Sequence, residues 1–273
     1  MPHTKKLLFI GGGNIAGAVA CGLVNSHAVD ADCITVYDID VNKLSKFSDI
    51  GMNISDDLNK LDIAYDYIFL AVKPSIVKSV MQQLSELDNL CSNAVFVSFA
   101  AAVTIGHITQ AYGRDIPVIR TMPSTPILIG EGVLAVTRNE LVPAKAFQFF
   151  CRILSNVAHV TTIEEELMNP IISVHGSSPA YVYLFVKAML DAAVAQGVNR
   201  EDALPLILKT VKGSVSMIEK SNKSIEQLIS DVASPNGTTL AALNKFEEMN
   251  FSGIVNEAMS ACTKRANEIS EEL

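Results

Sequence analysis

Nowhere in this chain does an uninterrupted apolar run approach the ~20 residues that a bilayer-crossing helix requires, so a membrane-spanning protein is excluded from the expectations. Positive charge is also in short supply. The 21 Lys and Arg stand against 29 Asp and Glu, and a formal balance of −8 argues against nucleic acid or an acidic membrane surface as partner. No C-x-x-C occurs. Cys21, Cys33, Cys91, Cys151 and Cys262 are odd in number and scattered, which reads as reduced thiols rather than a disulfide framework and offers no metal-site spacing. No Cys/His nucleophile pair is evident either, and the lone His159 and His175 read as structural. There is no internal repeat and no low-complexity segment. The six residues ahead of the first apolar run leave no room for a signal peptide, so a cytoplasmic location is expected.

What remains is a chain of 273 residues, 49% hydrophobic and 18% charged, enough for a well-filled globular core in one large domain or two ordinary ones. Its organising stretch is Leu7-Leu8-Phe9-Ile10-Gly11-Gly12-Gly13-Asn14-Ile15-Ala16-Gly17. A short apolar run, three glycines and a helix start predict strand, tight turn, helix. Gly11, Gly13 and Ala16 fit G-x-G-x-x-G/A. Gly11 permits the turn, Gly13 removes a side chain that would block a diphosphate, and the first free helical N–H groups of Asn14, Ile15 and Ala16 supply an anion site. The competing reading is an ordinary strand–turn–helix corner.

The β-branched, aromatic run Ile34-Thr35-Val36-Tyr37 predicts a second strand, ending in Asp38. A carboxylate about 25 residues after the glycine turn is placed to accept the adenine ribose hydroxyls and to repel a 2′-phosphate. Asp38 reads equally well as a cap on a helix beginning at Val41. The segment 53–57 reads as a polar turn. Further buried strands are predicted at 67–72, 94–99 and 117–120, with helices from Ser75 and through Ile105, Ile108 and Tyr112. Thr121 to Pro126 reads as a polar loop stiffened by two prolines, 132–137 as a seventh or edge strand, 142–156 as a helix and 158–161 as a last short strand.

Strands alternating with helices imply an α/β domain with a mostly parallel sheet, and in such sheets ligands bind beyond the carboxyl ends of the strands. Those ends carry Gly11 to Gly13, Asp38, Val72-Lys73-Pro74, Ala100-Ala101 and Met122-Pro123, which are small, apolar or rigid. Lys73 could serve as a base or Schiff-base amine, but no acidic partner is apparent nearby, and solvent exposure is the expectation.

After about Thr162 only helices are predicted: 163–174, 180–196 closed by Gly197, 200–220, 224–232, one ending at Met249, and a last one from Ser252. The expected division is therefore 1–162 and 163–273. The helix over 180–196 is apolar nearly all round, with Tyr181, Tyr183, Phe185, Met189 and Leu190 on every face. A helical domain of ~110 residues cannot cover such a helix alone, which suggests intertwined dimerisation. The alternative is burial against the sheet domain of the same chain. Ser234-Pro235-Asn236-Gly237-Thr238-Thr239 is a second anion-site candidate, a tight turn whose N–H groups and hydroxyls suit a small carboxylate. Thr238 as a plain N-cap is the other reading.

Together the stretches Phe9 to Ala16, Ala71-Val72-Lys73-Pro74, Arg120 to Pro126, Gly176-Ser177-Ser178-Pro179-Ala180-Tyr181, Asp191-Ala192-Ala193 with Gly197, and Ser234 to Thr239 fall in an order that resembles the pyrroline-5-carboxylate reductases across almost the whole chain. The resemblance implies an N-terminal Rossmann domain and an all-α C-terminal dimerisation domain. It implies NAD(P)H-dependent reduction of a cyclic imine bearing a carboxylate, the last step of proline synthesis, in homodimers that many members assemble into decamers. It assigns the imine nitrogen to Thr239, the substrate carboxylate to the turn Ser234, Pro235, Asn236, Gly237 and Thr238 with Ser178 nearby, and the nicotinamide to Val72, Lys73, Pro74, Ala100, Ala101, Met122, Pro123, Ser124 and Thr125.

The chain departs from the family pattern at Ser178 and Asn236, where glycine is usual, at Ser124, where asparagine is, and at Lys209, where glutamine is. Asn236 still tolerates a left-handed conformation. An arginine that grips the 2′-phosphate in many members is absent after Tyr37-Asp38, where Ile39 stands, so NADH is expected over NADPH. The departures keep two alternatives open: a paralogue acting on another cyclic imino acid, and a non-catalytic NAD(P)-binding regulator. A β-hydroxyacid-type dehydrogenase would want a catalytic lysine in the first long helix of the second domain, where Lys187 stands without obvious polar company.

Overall fold

The computed structural model describes residues 5–61 and 63–273. The start of the chain, on which the signal-peptide reading turned, has residues 1–4 outside the described residues. Contacts divide the chain into two compact units, one running up to Ser177 and taking in Cys262–Leu273, the other Ser178–Ala261.

The first unit holds eight strands: β1 (Leu7–Ile10), β2 (Ile34–Tyr37), β3 (Asn53–Ser55), β4 (Tyr67–Leu70), β5 (Val95–Ser98), β6 (Val118–Pro123), β7 (Gly132–Arg138) and β8 (Ala158–Thr162). They form one sheet in the order β3-β2-β1-β4-β5-β6-β7-β8. Every neighbouring pair is parallel except β6 and β7. That connection, from Pro123 to Gly132, is a single 3-10 turn over Thr125–Ile129, too short for the crossover a parallel pair needs.

The apolar runs are continuous because both faces are covered. Leu7 and Phe9 enter one core cluster with α1 (Asn14–Asn25), while Leu8 and Ile10 enter the other. The short α2 (Ser45–Ser48) adds Phe47 to the first cluster. On the second face lie α3 (Pro74–Ser85), the short α4 (Asp88–Cys91) and α5 (Ile105–Tyr112). Pro74 starts α3 at a position where its missing N–H costs nothing, and Thr104 with His107 makes a capping box for α5. Finally α6 (Ala144–Leu154) returns Phe150, Ile153 and Leu154 to the first cluster. Rings of Phe9 and Phe69 stack 4.4 Å apart inside it.

Three expectations are corrected here. Asn53–Ser55 is an edge strand, not a turn; it pairs only with β2 and leaves Asn53 and Ile54 exposed, so it lacks the apolar run of a buried strand. The strand β6 runs through Thr121 to Pro123, ahead of the turn, with the Thr121 hydroxyl donating to the Ser98 carbonyl at 2.8 Å. The segment 163–174 is not one α-helix but a 3-10 turn (Glu165–Leu167) followed by a π-helical turn (Ile172–Gly176). Tertiary bonds impose that geometry: Glu165 accepts the Ile105 N–H at 2.8 Å, and the His175 ring bonds the Met122 carbonyl at 2.7 Å. Of the two readings of 132–137, the seventh strand is the one found: β7 is interior, because β8 covers its outer side.

The second unit is helical: α7 (Ser178–Ala195), α8 (Arg200–Lys220), α9 (Ile225–Val232), α10 (Thr238–Glu248) and the first half of α11 (Phe251–Glu272). Gly197, at φ 89°, closes the turn after α7, and Ser224 with Gln227 boxes the start of α9. Its own core is small, with Leu190, Ala203 and Ile207 buried and Val186, Met189, Ala193 and Val211 packed on them. Among the described residues no helix is long and apolar enough to cross a membrane, and no cluster of three metal-ligating side chains occurs.

Candidate active site

The strand β1 ends at a turn that only glycine makes. Gly11 has φ 107°, its N–H donates to the Tyr37 carbonyl at 2.7 Å, and a Cβ there would lie 2.6 Å from the Ala71 carbonyl oxygen. Gly13 is the N-cap of α1 and supplies no capping bond. A Cβ on Gly13 would meet nothing within 4 Å, so the ground above the uncapped first turn of Asn14, Ile15 and Ala16 is open. Open space against unpaired helical N–H groups fits a diphosphate. β1 and β4 are sheet neighbours whose following helices, α1 and α3, pack on opposite faces, which makes this the switch point of the sheet. A cleft of about 570 Å³ opens there, with Gly11, Gly13, Asp38, Ile39, Val72 and Lys73 in its walls.

Asp38 is buried, and its two carboxylate oxygens accept from the Gly12 N–H at 2.8 Å and the Asp40 N–H at 2.9 Å. Lys43 stands 3.3 Å away. Burial works to raise its pKa, but the Asp40 and Gly12 N–H groups and the Lys43 ammonium outweigh it and hold the carboxyl below its ordinary value. Asp38 is therefore not the cap of the helical turn at Val41–Lys43; Asp40 is, accepting the Asn42 N–H at 3.1 Å. Asp38 instead pins the glycine turn to the end of β2. Ile39 beside it is 82% exposed.

The remaining candidates of this unit stand in a row at the carboxyl ends of adjacent strands. Val72 is half-buried after β4, while Lys73 is exposed and precedes Pro74 at the start of α3. Ala100 is buried and Ala101 half-buried after β5. Met122 and Pro123 close β6, and the exposed Thr125 opens the 3-10 turn. The buried Ser124 hydroxyl accepts the Val133 N–H at 2.9 Å, tying that turn to β7.

Sequence reasoning missed Arg120, a cation only 3% exposed just ahead of this row. Its guanidinium meets Glu165 at 3.4 Å and Asn169 at 2.7 Å. Burial works against the charge, and Glu165 supports it. An arginine inside an otherwise apolar strand run was the available signal.

In the second unit, Asn236 takes φ 58°, the left-handed conformation that keeps the turn before α10 open to a residue other than glycine. The Gly237 N–H donates to the Ser234 carbonyl at 3.0 Å. Gly237 is the N-cap and makes no side-chain capping bond, so Thr238 is not the cap but the first residue of the helix, with Thr239 next. A Cβ on Gly237 would collide with the Ser234 hydroxyl. This second uncapped helix start, with exposed Ser234, Pro235 and Asn236, borders an apolar groove of about 390 Å³ walled by Met217, Ile218, Ile225, Ile229 and Leu243, into which Thr239 enters. Ser178 begins α7 and is half-buried, and Lys209 is exposed. Lys187 does have polar company, an ion pair with Asp191 one turn on that lowers the pKa of that carboxyl.

A Rossmann-type sheet with an open glycine turn at its switch point, followed by helices, defines a dinucleotide-dependent oxidoreductase of two-part plan. Two family patterns match: residues 6–102 fit the family described as NADP oxidoreductase, coenzyme F420-dependent, and residues 165–269 fit pyrroline-5-carboxylate reductase dimerisation. The chain is 35% identical to pyrroline-5-carboxylate reductase of Escherichia coli (strain K12), over 98% of its own length and 99% of that protein's. It is 30% identical to the enzyme of that name from Arabidopsis thaliana, over 97% and 96%. A crystal structure of Plasmodium falciparum pyrroline carboxylate reductase with NADP bound superposes with a TM-score of 0.89 at 28% identity, covering 99% of this chain and 100% of that one. The Coxiella burnetii pyrroline-5-carboxylate reductase gives 0.88 at 30%, covering 98% and 99%. The chain belongs to the pyrroline-5-carboxylate reductase family.

Proposed function

We propose that the protein reduces the cyclic imine 1-pyrroline-5-carboxylate to proline with NAD(P)H, as a cytoplasmic homodimer. The observation that carries this reading is the pair of uncapped helix starts, at Gly13 and at Gly237, in a chain that follows the family from end to end. One suits a diphosphate and the other a small carboxylate.

A protonated cyclic imine is already an electrophile, so positioning and electrostatics carry the reaction and no acid–base dyad is required. Bound, the reduced nicotinamide supplies a hydride ion to the imine carbon. The N–H groups of Asn14 to Ala16 hold the diphosphate, and Asp38 faces the adenine ribose. Val72, Ala100, Ala101, Met122 and Pro123 line the nicotinamide, with Lys73, Pro74, Ser124 and Thr125 framing them. Backbone N–H groups of the turn between Ser234 and Thr238, those of Asn236 and Thr238, hold the substrate carboxylate, Ser178 sits at its edge, and the Thr239 hydroxyl meets the imine nitrogen.

The dinucleotide is NADH in preference to NADPH, because Ile39 offers nothing to a 2′-phosphate and Asp38 repels one. The Lys43 ammonium, 3.3 Å from Asp38, narrows the margin. The partner is a second copy of this chain, laid on the apolar helix faces of the second unit, and pairs of copies build on toward a decamer. Five free thiols suit a reducing compartment.

The test is spectrophotometric. Purified protein given NADH and 1-pyrroline-5-carboxylate consumes NADH and yields proline. NADH binding without consumption would point to a regulator, and turnover only with a homologous ring would point to a paralogue.

A further inference from the structure

We propose that the end of α11 braces the nicotinamide side of the cleft, and that Ser270 is its positioning residue. This rests on the reading that Ala100 and Ala101 line the nicotinamide. The turn that carries them runs from β5 to α5 and contains an anomaly. Ala102 has φ 64°, in the left-handed region that a residue with a Cβ rarely adopts, and it is buried. Such a conformation persists where the surroundings over-determine it. Ahead of Ala102, the Phe99 N–H donates to the Leu70 carbonyl at 3.1 Å, and the Ala100 N–H donates to the Ser98 hydroxyl at 3.2 Å. Beyond it, the Thr104 cap fixes the start of α5. Between these anchors, the Ala102 carbonyl accepts a 2.6 Å hydrogen bond from the Ser270 hydroxyl, 168 residues further along the chain.

Two other contacts hold the same stretch of α11 in place. Asn267 accepts a hydrogen bond from the Asn169 amide at 2.9 Å, and the Asn169 oxygen takes the Arg120 guanidinium at 2.7 Å, two residues before Met122. The terminal Leu273 packs on the apolar cluster beneath α3 and α5. The last turns of α11 thus touch one wall segment directly, at Ala102, and reach the other through Asn169 and Arg120. A connection between β5 and α5 has no general need of a left-handed alanine, and this one is held in that conformation beside Ala100 and Ala101. Without the Ser270 bond, Ala102 is free to relax toward the extended region, and Ala101 turns with it.

Calorimetric titration of the full-length protein with NADH and with ADP-ribose, which lacks the nicotinamide, tests the brace. Ser270→Ala should weaken NADH about five- to tenfold and leave ADP-ribose within about twofold, because only the nicotinamide half loses a preorganised wall. Ser270→Thr, which keeps the hydroxyl, should bind NADH as the unaltered protein does. Ala102→Gly in the Ser270→Ala background should recover part of the loss, since glycine adopts a positive φ without the steric penalty that alanine carries. Unchanged NADH affinity in Ser270→Ala, an equal loss for ADP-ribose, or no recovery in the double variant would each overturn the brace. If the unaltered protein binds NADH no more tightly than ADP-ribose, the nicotinamide-wall reading fails and the brace with it. If NADH binds as described but pyrroline-5-carboxylate is not reduced, the substrate assignment alone fails.

Discussion

The two units of this chain solve the burial problem differently. In the first, strands and helices supply each other with cover: Leu7, Leu8, Phe9, Ile68 and Phe69 are wholly buried, and the clusters on the two sheet faces close within one chain. In the second, α7 and α8 leave Tyr183, Leu184 and Leu206 each more than 60% exposed, and only Leu190, Ala203 and Ile207 form a buried core. A helix apolar all round must be covered on all sides. The contrast separates residues that serve the fold of one chain from residues that serve an assembly.

The strongest way to break the contrast is a charge on the uncovered face. An exposed position ordinarily tolerates substitution within about 0.5 kcal/mol. Leu184→Asp, at 68% exposure, should instead abolish assembly and lower turnover more than about a hundredfold, because the charge would have to be buried unpaired against a second copy. Sedimentation velocity reads the assembly. The same change at Ile54, on the edge strand β3, should leave assembly intact, since a charge on an edge strand is a common protective device. Equal behaviour of the two variants would erase the distinction between the units.

Within the first unit, two glycines of one turn separate fold from site. Gly11→Ala puts a Cβ 2.6 Å from the Ala71 carbonyl at φ 107° and should cost about 2–4 kcal/mol in thermal or urea unfolding. Gly13→Ala meets open space, so its unfolding should change by no more than about 1 kcal/mol, the difference between glycine and alanine at an N-cap, while NADH affinity drops about tenfold or more as the methyl enters the diphosphate ground. Intact affinity in Gly13→Ala would remove that ground from the site.

The parts of the molecule that were legible in the sequence share a cause. β1, β2, β4 and β5 are buried and appear as short runs of apolar, β-branched or aromatic residues, β1 stopped by Gly11 and β2 by Asp38. The parts that were not legible depend on distant partners. Asn53–Ser55 is a strand because β2 offers it an edge, and the π-helical turn at Ile172–Gly176 follows bonds reaching it from β6. Asp38 and Asp40, two residues apart, are both plausible caps, and only the approach of the Gly12 N–H decides between them. The left-handed Ala102 carries no mark in the sequence at all, since alanine is not a residue that flags a positive φ. At the candidate site, the glycine turn and the turn before α10 were legible as motifs. The network of Arg120, Glu165 and Asn169 was not, because its members are dispersed along the chain.

In the second unit the same separation applies at the start of α10. Thr239 is half-buried at the edge of an apolar groove and does not cap its helix. Thr239→Ala should therefore leave thermal unfolding nearly unchanged and lower kcat about ten- to a hundredfold, the range of a lost hydrogen bond made chiefly in the transition state, with the KM for NADH unaltered. A stability loss with full turnover would return Thr239 to the fold.

The smallest expected effect is the sharpest test of where fold ends and site begins, because Asp38 serves both. Its carboxylate pins Gly12, and it stands in the wall of the cleft proposed for the dinucleotide. Asp38→Asn keeps one acceptor, loses the ion pair with Lys43 and removes the charge that opposes a 2′-phosphate. The ion pair is partly open to solvent, with Lys43 about half-exposed, and contributes little by itself. The ratio of kcat/KM for NADPH over NADH should rise about fivefold, a specificity shift of roughly 1 kcal/mol. The acid limb gives an independent reading. A carboxyl whose pKa is lower folded than unfolded contributes its full stabilisation above the ordinary carboxylate range and loses it as pH falls through the lowered folded value. Thermal stability should thus hold from neutral pH down to that range and then decline, and Asp38→Asn should flatten the decline while starting from a lower plateau. An unaltered protein that prefers NADPH would mean that Lys43, rather than Asp38, sets the sign of the field at the ribose, and Lys43→Met should then reverse the preference.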